Sequence, residues 1–219
     1  TDPPCLKYEF IEGGDLAGLV RDWQQGPGRP RWLQATRVVR RLAEVVGYAH
    51  RLSPPIVHRD LKPANVLVQR VEDGELALRV TDFGIGGVAS QAVLREARQG
   101  PSSPKTRGGL LVSSLRGSHT PLYASPQQVR GEAPDPRDDV HALGVIWYQL
   151  LTGDLTSGPP TGLWADELEE LGLSRGLVRL LGACVAAKAE KRPKDAAVLA
   201  EQLTALLAPP APAEPARPP

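Results

Sequence analysis

The chain contains 219 residues, of which 41% are hydrophobic and 23% are charged, and this composition predicts a folded domain with a buried core. Its 26 Lys and Arg residues nearly balance its 25 Asp and Glu residues, and the net charge of +1 argues against a nucleic-acid partner. The two cysteines, Cys5 and Cys184, exclude a cysteine-built zinc site or disulfide framework and fit a reducing compartment. No apolar run approaches the roughly 18 residues of a membrane span, and no signal peptide opens the chain.

The first half of the chain predicts one strand and two helices. Residues 6–11 alternate apolar with polar side chains, which indicates a short strand that ends at Gly13 and Gly14. Asp15 is suited to cap a helix over residues 16–23. Apolar residues recur at three- and four-residue steps over residues 36–52 and predict an amphipathic helix that stops before Pro54 and Pro55.

The second half predicts a hairpin, a long loop and a helical region. Residues 66–70 and 76–81 read as two strands around a turn, and residues 89–119 read as a surface loop. Residues 138–151 are apolar on nearly every face, which predicts a helix in the middle of the domain. Further helices are expected at 166–171, 174–187 and 195–207, and the Pro/Ala-rich residues 208–219 should form an extended, disordered tail.

Two motifs around the hairpin carry the chemistry. The sequence HRDLKPAN occupies residues 58–65, directly before the first hairpin strand, and DFG occupies residues 82–84, directly after the second. An isolated DFG would be weak evidence, but both motifs in this order and at this spacing are specific. The chain thereby resembles the eukaryotic-type protein kinases, in the serine/threonine branch that bacteria also possess.

The resemblance assigns roles that suit phosphoryl transfer. Asp60 would orient the acceptor hydroxyl and accept its proton, and Lys62 would place a positive charge near the transferring phosphate. Asn65 and Asp82 offer the hard oxygen ligands that Mg²⁺ prefers, together with nucleotide phosphates. Arg59 is similar to the arginine of kinases whose activation loop is ordered by a phosphate or an acidic residue, which implies a regulatory role.

The segment before the first helix resembles the kinase hinge, which holds adenine through backbone groups. By this resemblance Tyr8 is the gatekeeper, Glu9 and Ile11 supply the backbone partners, and Asp15 lies beside the ribose. Leu67 corresponds to the apolar residue beneath the adenine ring.

Three downstream residues extend the resemblance, and a fourth departs from it. Thr120 corresponds to the residue that docks the acceptor, and Asp139 to the buried aspartate that holds the catalytic loop backbone. Arg192 corresponds to a late arginine whose usual partner is a glutamate. Gln127 stands at that glutamate's position and can offer a hydrogen bond but no charge. His50 and His141 are expected to be packed helix residues and not ligands.

The loop rich in Ser, Thr and Arg suggests regulation by phosphorylation. We expect autophosphorylation between residues 91 and 118, with Arg59 among the partners of the phosphate.

The implied architecture is a mainly α-helical α+β large lobe of a protein-kinase-like fold, with a hinge strand and short β-hairpins. Residues 1–207 would form this partial kinase domain. The small lobe, with its glycine-rich loop and strand lysine, has no counterpart before the hinge, and the sequence contains no methionine. We therefore expect a fragment that lacks the small lobe and is inactive alone.

The resulting prediction is a serine/threonine protein kinase that uses ATP and Mg²⁺, with Mn²⁺ as an alternative metal. Its expected partners are protein substrates and the missing small lobe, and its expected location is the cytoplasm or the cytoplasmic part of a membrane-anchored chain. A non-catalytic pseudokinase-like scaffold is the alternative, although such a relative would tend to lose Asp60, Lys62, Asn65 or Asp82. A small-molecule kinase of related fold is a third reading, which Lys62 and Thr120 argue against.

Overall fold

The computed structural model describes residues 9–25, 32–70, 76–83 and 121–209. Helices predominate in this part of the chain, beside one two-stranded antiparallel sheet, so the predicted mainly helical α+β fold is confirmed. The helices are α1 (Leu16–Gln25), α2 (Trp32–His50), α3 (Pro126–Val129), α4 (Pro136–Thr152), α5 (Trp164–Glu170), α6 (Arg175–Cys184) and α7 (Ala196–Leu207). Short 3₁₀ helices lie at Pro63–Asn65 and Ala189–Lys191, and the strands are β1 (Val66–Arg70) and β2 (Leu76–Val80).

Helix α4 is buried on nearly all of its faces and forms the centre of the domain, as predicted. Trp147 is fully buried, and its indole N–H donates to the hydroxyl of Thr36 in α2 at 3.2 Å. At the other end of α4, Asp135 and Asp138 form a reciprocal capping box, in which each side chain accepts a backbone N–H. The start of the helix is thereby held firmly, and it lies against the loop that carries Asp60.

Helices α2 and α7 pack closely because Gly47 lets their backbones approach each other. A Cβ atom at Gly47 would lie 2.6 Å from the backbone nitrogen of Ala197. Helix α2 begins at Trp32, four residues before the predicted start. The Thr36 hydroxyl donates to the Trp32 carbonyl at 2.8 Å, a contact that belongs to an additional turn of helix.

The hairpin brings the two sequence motifs together. Strands β1 and β2 pair antiparallel, with Val66 opposite Val80 and Val68 opposite Leu78. The start of β1 and the end of β2 are therefore neighbours, so the residues before β1 meet the residues after β2. The predicted strands are confirmed to within one residue.

Two further predicted boundaries are wrong in the described residues. Residues 9–11, which were expected to end the hinge strand, are not in a strand. The chain instead meets the hairpin slightly later, through a bridge between Asp15 and Leu67 and a hydrogen bond from the Val68 N–H to the Gly14 carbonyl at 2.9 Å. This approach needs a glycine at position 13, because a Cβ there would lie 2.2 Å from the Val68 carbonyl oxygen. Helix α6 ends at Cys184 and not at residue 187.

Candidate active site

The predicted catalytic loop, residues 58–65, brings an ammonium group and a side-chain amide to one carboxylate oxygen, Oδ2 of Asp60. The Lys62 Nζ lies 2.8 Å from Asp60 Oδ2, and the Asn65 Nδ2 lies 3.3 Å from the same atom. Asn65 Nδ2 also donates to the backbone carbonyl of Asp60 at 2.8 Å. The Asp60 and Lys62 side chains are 20% and 27% exposed. These contacts orient the Asp60 carboxylate while one side of it remains accessible to a substrate.

Asn65 and Asp82 are held at adjacent ends of the hairpin. The residue before Asp82, Thr81, donates to the Asn65 carbonyl through both its N–H, at 2.9 Å, and its hydroxyl, at 3.2 Å. Asp82 is exposed and has a φ of 61°, a left-handed conformation that is uncommon for a residue with a Cβ atom. Strain of this kind clusters at functional sites.

The oxygen atoms of these two side chains are of the chemical type that a divalent metal ion prefers. Asn65 uses its Nδ2 for Asp60, while its Oδ1 accepts no hydrogen bond from the described residues. Asp82 contributes an exposed carboxylate. A carboxylate and an amide oxygen suit Mg²⁺, which usually takes its remaining ligands from water and phosphates. No group of three or more His, Cys, Asp or Glu side chains in the described residues is arranged as a metal site.

His58 joins the catalytic loop to the end of the hairpin, a role that sequence reasoning did not assign. The Asp60 N–H donates to His58 Nδ1 at 3.2 Å, so Nε2 carries the proton that is donated to the Thr81 carbonyl at 2.7 Å. The ring of Phe83 packs on His58, with 4.9 Å between the ring centroids. Asp60 and Asp82 are therefore positioned through one buried imidazole.

Asp139 anchors the catalytic loop from the start of α4, as expected from its position in the sequence. Its two carboxylate oxygens accept the backbone N–H of His58 at 2.7 Å and that of Arg59 at 2.8 Å. The Asp139 carboxylate also accepts from His50 Nε2 at 2.9 Å, and His50 Nδ1 accepts the N–H of Ala196 at 3.2 Å. His50 is packed, as predicted, and it links α2, α4 and α7 to the catalytic loop.

The residues predicted to contact the nucleotide are only partly brought together. Asp15 and Leu67 form a backbone bridge, so these two lie side by side. The Asp15 carboxylate accepts the Gly18 N–H at 2.7 Å, which confirms its predicted helix-capping role. Glu9 is exposed and Ile11 is half-buried, and no side-chain contact joins either to the catalytic loop in the described residues.

Several predicted features lie outside the described residues. These are Tyr8, Thr120, the phosphorylation sites expected between residues 91 and 118, and residues 210–219 of the predicted tail.

Arg59 lies in an ion pair that sequence reasoning did not foresee. Its Nε is 3.3 Å from Asp138 Oδ2, and the two side chains are 3% and 1% exposed. The hydroxyl of Ser125 donates to Asp138 Oδ1 at 2.5 Å. Burial raises the pKa of Asp138 above its usual range, whereas the Ser125 hydrogen bond and the Arg59 charge oppose that rise. The sequence feature that could have indicated this ion pair is the adjacent Asp138 and Asp139 at the start of α4, of which only Asp139 was assigned a role.

The charged guanidinium of Arg192 forms a hydrogen bond with the neutral amide of Gln127. Arg192 Nη2 donates to Gln127 Oε1 at 2.9 Å, which confirms that Gln127 contributes a hydrogen bond without a charge. The other end of the amide, Gln127 Nε2, donates to the Ala187 carbonyl at 2.9 Å. A glutamate would gain the charge interaction with Arg192 but would lose this donor, so the glutamine suits both neighbours.

The buried His141 predicts a measurable pH dependence of stability. Burial, together with the charge of Arg192, lowers the pKa of His141 from 6.5 to about 4. Between these two pH values the unfolded state binds more protons than the folded state, so stability falls as the pH decreases. At pH 5 the wild type should lose about 2 kcal/mol relative to pH 7 through this residue.

Urea unfolding at pH 7 and pH 5 measures this loss against His141→Asn, which cannot titrate and keeps an N–H donor near Nδ1. The variant should lose about 2 kcal/mol less than the wild type between the two pH values. Equal losses in the two proteins would contradict the assignment.

The fold and the site geometry together define the protein kinase class. A family model described as "Protein kinase domain" matches residues 2–202. The chain therefore belongs to the protein kinase family.

The proteins similar to this chain include bacterial serine/threonine kinases. The serine/threonine-protein kinase pkn2 of Myxococcus xanthus is 32% identical over 217 residues, which cover 93% of this chain and 24% of that protein. PknL of Mycobacterium tuberculosis is 36% identical over 150 residues, 68% of this chain and 31% of PknL. The crystal structure of the M. tuberculosis PknI kinase domain shares the fold with a TM-score of 0.60 and 20% identity, covering 90% of this chain and 64% of that one.

The chain thus spans about a quarter of the length of pkn2 and under a third of PknL. In the described residues, no helix combines the length and the apolar character that a membrane crossing requires.

Proposed function

We propose that this chain provides the catalytic lobe of a serine/threonine protein kinase, which transfers the γ-phosphate of ATP to Ser or Thr hydroxyls of protein substrates. The observation that carries the proposal is the cluster of Asp60, Lys62 and Asn65 beside the hairpin end that bears Asp82. Phosphoryl transfer depends mainly on positioning and charge stabilisation, and this cluster combines a base, a cation and metal ligands.

Asp60 acts on the acceptor hydroxyl. Lys62 and Asn65 both approach its Oδ2, so the carboxylate is held in one rotation before a substrate arrives. A carboxylate held in this way can orient a hydroxyl and accept its proton as the oxygen attacks the phosphate. Lys62 places its ammonium group beside the same site, where it stabilises negative charge on the transferring phosphate.

Asn65 and Asp82 would hold Mg²⁺, or Mn²⁺ in its place, which would supply charge neutralisation on the nucleotide phosphates.

The remaining proposed roles concern the nucleotide and the acceptor. Glu9 and Ile11 would offer backbone groups to the adenine, Asp15 would lie beside the ribose, and Leu67 would lie beneath the ring. Leu67 is half-buried in the described residues, so part of its apolar side chain is available to pack against an aromatic base.

Thr120 is proposed to dock the acceptor residue. Because ATP is the phosphate donor, the site works in the cytoplasm or on the cytoplasmic side of a membrane.

Transfer requires a second lobe above the nucleotide. Phe10, in the segment proposed to contact adenine, is 86% exposed, as expected for a surface that another element covers. The match to the PknI kinase domain leaves about a third of that chain without a counterpart, since 64% is covered. Without such a cover, water would enter the site and weaken the interactions of Lys62 and the metal ligands with the phosphates.

The test compares the full-length protein encoded by the gene with the 219-residue chain. Each is incubated with γ-labelled ATP, Mg²⁺ and a generic basic protein, and labelled amino acids are identified after hydrolysis. Label on Ser or Thr with the full-length protein, and little or none with the 219-residue chain, is the expected result. Absence of transfer by the full-length protein would favour the scaffold reading, and equal transfer by both would show that the second lobe is not needed.

A further inference from the structure

The backbone of Arg59 connects Asp60, the proposed base, to Asp139 and Gln128. It directly precedes Asp60 and has a φ of 63°. Its N–H donates to Asp139 Oδ1 at 2.8 Å, and its carbonyl accepts from Gln128 Nε2 at 2.5 Å. Because a left-handed conformation is unfavourable for arginine, surrounding contacts must maintain it.

The Arg59 side chain adds a third contact, directed at a fixed carboxylate. Its Nε lies 3.3 Å from Asp138 Oδ2, and its Nη2 donates to the Glu132 carbonyl at 3.1 Å. Two donors hydrogen-bond to the Asp138 carboxyl, the Ser125 hydroxyl at 2.5 Å and the Asp135 N–H at 3.3 Å, and the Arg59 guanidinium forms an ion pair with it. These contacts favour the ionised carboxylate and oppose the rise in the Asp138 pKa that burial causes.

Within the described residues, the Arg59 guanidinium is already paired with a buried carboxylate. The small cleft bounded by Arg59, Gln128 and Asp138 does not admit a water molecule. A phosphoryl group carries about −1.5 to −2 charges, and beside the buried Asp138 carboxylate it would meet like-charge repulsion. An arginine that binds an activating phosphate has to leave its guanidinium accessible, whereas this side chain is 3% exposed.

We propose that Asp138 is a positioning residue that serves as a resident counter-charge for Arg59. It holds the catalytic loop in its working position, so that transfer does not depend on a phosphate in residues 84–120. The inference rests on the proposed kinase function and departs from the sequence-based expectation that a phosphate contacts Arg59. Phosphorylation of the loop is compatible with it, but the phosphate is not required to order Asp60.

The experiment measures transfer to a peptide by the full-length protein in two states, after autophosphorylation and after treatment with a phosphatase that is then removed. The wild type should retain kcat within about threefold after phosphatase treatment. Asp138→Asn should lose at least about tenfold in kcat in the dephosphorylated state, with the KM for ATP nearly unchanged. Part of the loss should be regained on phosphorylation, because without the Asp138 charge the Arg59 guanidinium is no longer held beside residue 138 and can turn toward a phosphate. A purely structural role would lower both states equally.

The matched control is Asp135→Asn, which removes a carboxylate from the same helix terminus while asparagine still caps it. It should behave as the wild type in both states. If Asp138→Asn does not fold, Ser125→Ala weakens the hold on Asp138 and should show a smaller loss, about threefold, again confined to the dephosphorylated state.

The outcomes separate this inference from the proposed function. Loss of activity by dephosphorylated wild type, with full activity after phosphorylation, overturns the inference and leaves the kinase function standing. Unchanged activity of Asp138→Asn in both states also overturns it. No transfer by wild type in either state overturns the proposed function and this inference with it.

Discussion

Asp60→Asn in the full-length protein should lower kcat by at least about 100-fold, within the range that loss of a general base produces. The substitution keeps the size and shape of the side chain but removes the proton acceptor and the negative charge 2.8 Å from Lys62. Nucleotide binding should persist, since Asp60 acts on the acceptor hydroxyl and is not among the proposed metal ligands. Steady-state transfer to a peptide, with a separate titration of ATP and Mg²⁺ binding, measures both quantities.

Two companion variants sharpen this result. Asp82→Asn should weaken Mg²⁺-dependent ATP binding as well as transfer, because it removes a proposed metal ligand. Asp166→Asn changes an exposed aspartate on α5 and should leave both unchanged. Retention of wild-type kcat by Asp60→Asn would show that the base is assigned to the wrong residue.

Asp139→Asn should lower the free energy of unfolding by about 3 kcal/mol or more, the scale of removing one partner from a buried charged network. The carboxylate accepts from three donors, the His58 N–H, the Arg59 N–H and His50 Nε2, and it is fully buried. An asparagine replaces one acceptor oxygen with an NH₂ group, which would face a donor. Activity should fall together with stability, because the loop that bears Asp60 loses its anchor.

Thermal unfolding of the full-length protein measures this loss of stability. It can be followed by tryptophan fluorescence, because the buried Trp147 becomes exposed to water on unfolding. A decrease of about 6 °C or more is expected. The control is Asp195→Asn: Asp195 caps α7 by accepting the Val198 N–H at 2.8 Å, and asparagine caps equally well. If Asp139→Asn and the control unfold at the same temperature, the three contacts of Asp139 contribute little to stability.

Helices and strands were predictable wherever one local pattern sufficed. The apolar faces of residues 138–151 indicated the buried helix α4, and the alternation on both sides of residues 71–75 indicated the hairpin. Boundaries were less predictable when contacts distant in sequence decide them. Gly13 and Gly14 turn the chain against Val68, a neighbour that no local pattern reveals.

The family motifs placed the chemistry within short stretches of sequence. Asp60, Lys62 and Asn65 lie within six residues of one another, so their contacts follow largely from a single loop and its 3₁₀ turn. The motif order also implied that Asp82 returns beside them, because an antiparallel hairpin joins its own ends.

The sequence by itself therefore determined the family, the mainly helical fold and the identities of the residues expected to transfer phosphate. Only the tertiary structure decided how that loop is held. His50 contacts Asp139 across 89 positions of sequence, and Arg59 pairs with Asp138 in a helix much later in the chain. Such pairs leave no periodic or local signature, since hydrogen bonds and ion pairs depend on distances of about 3 Å that exist only after the helices have packed.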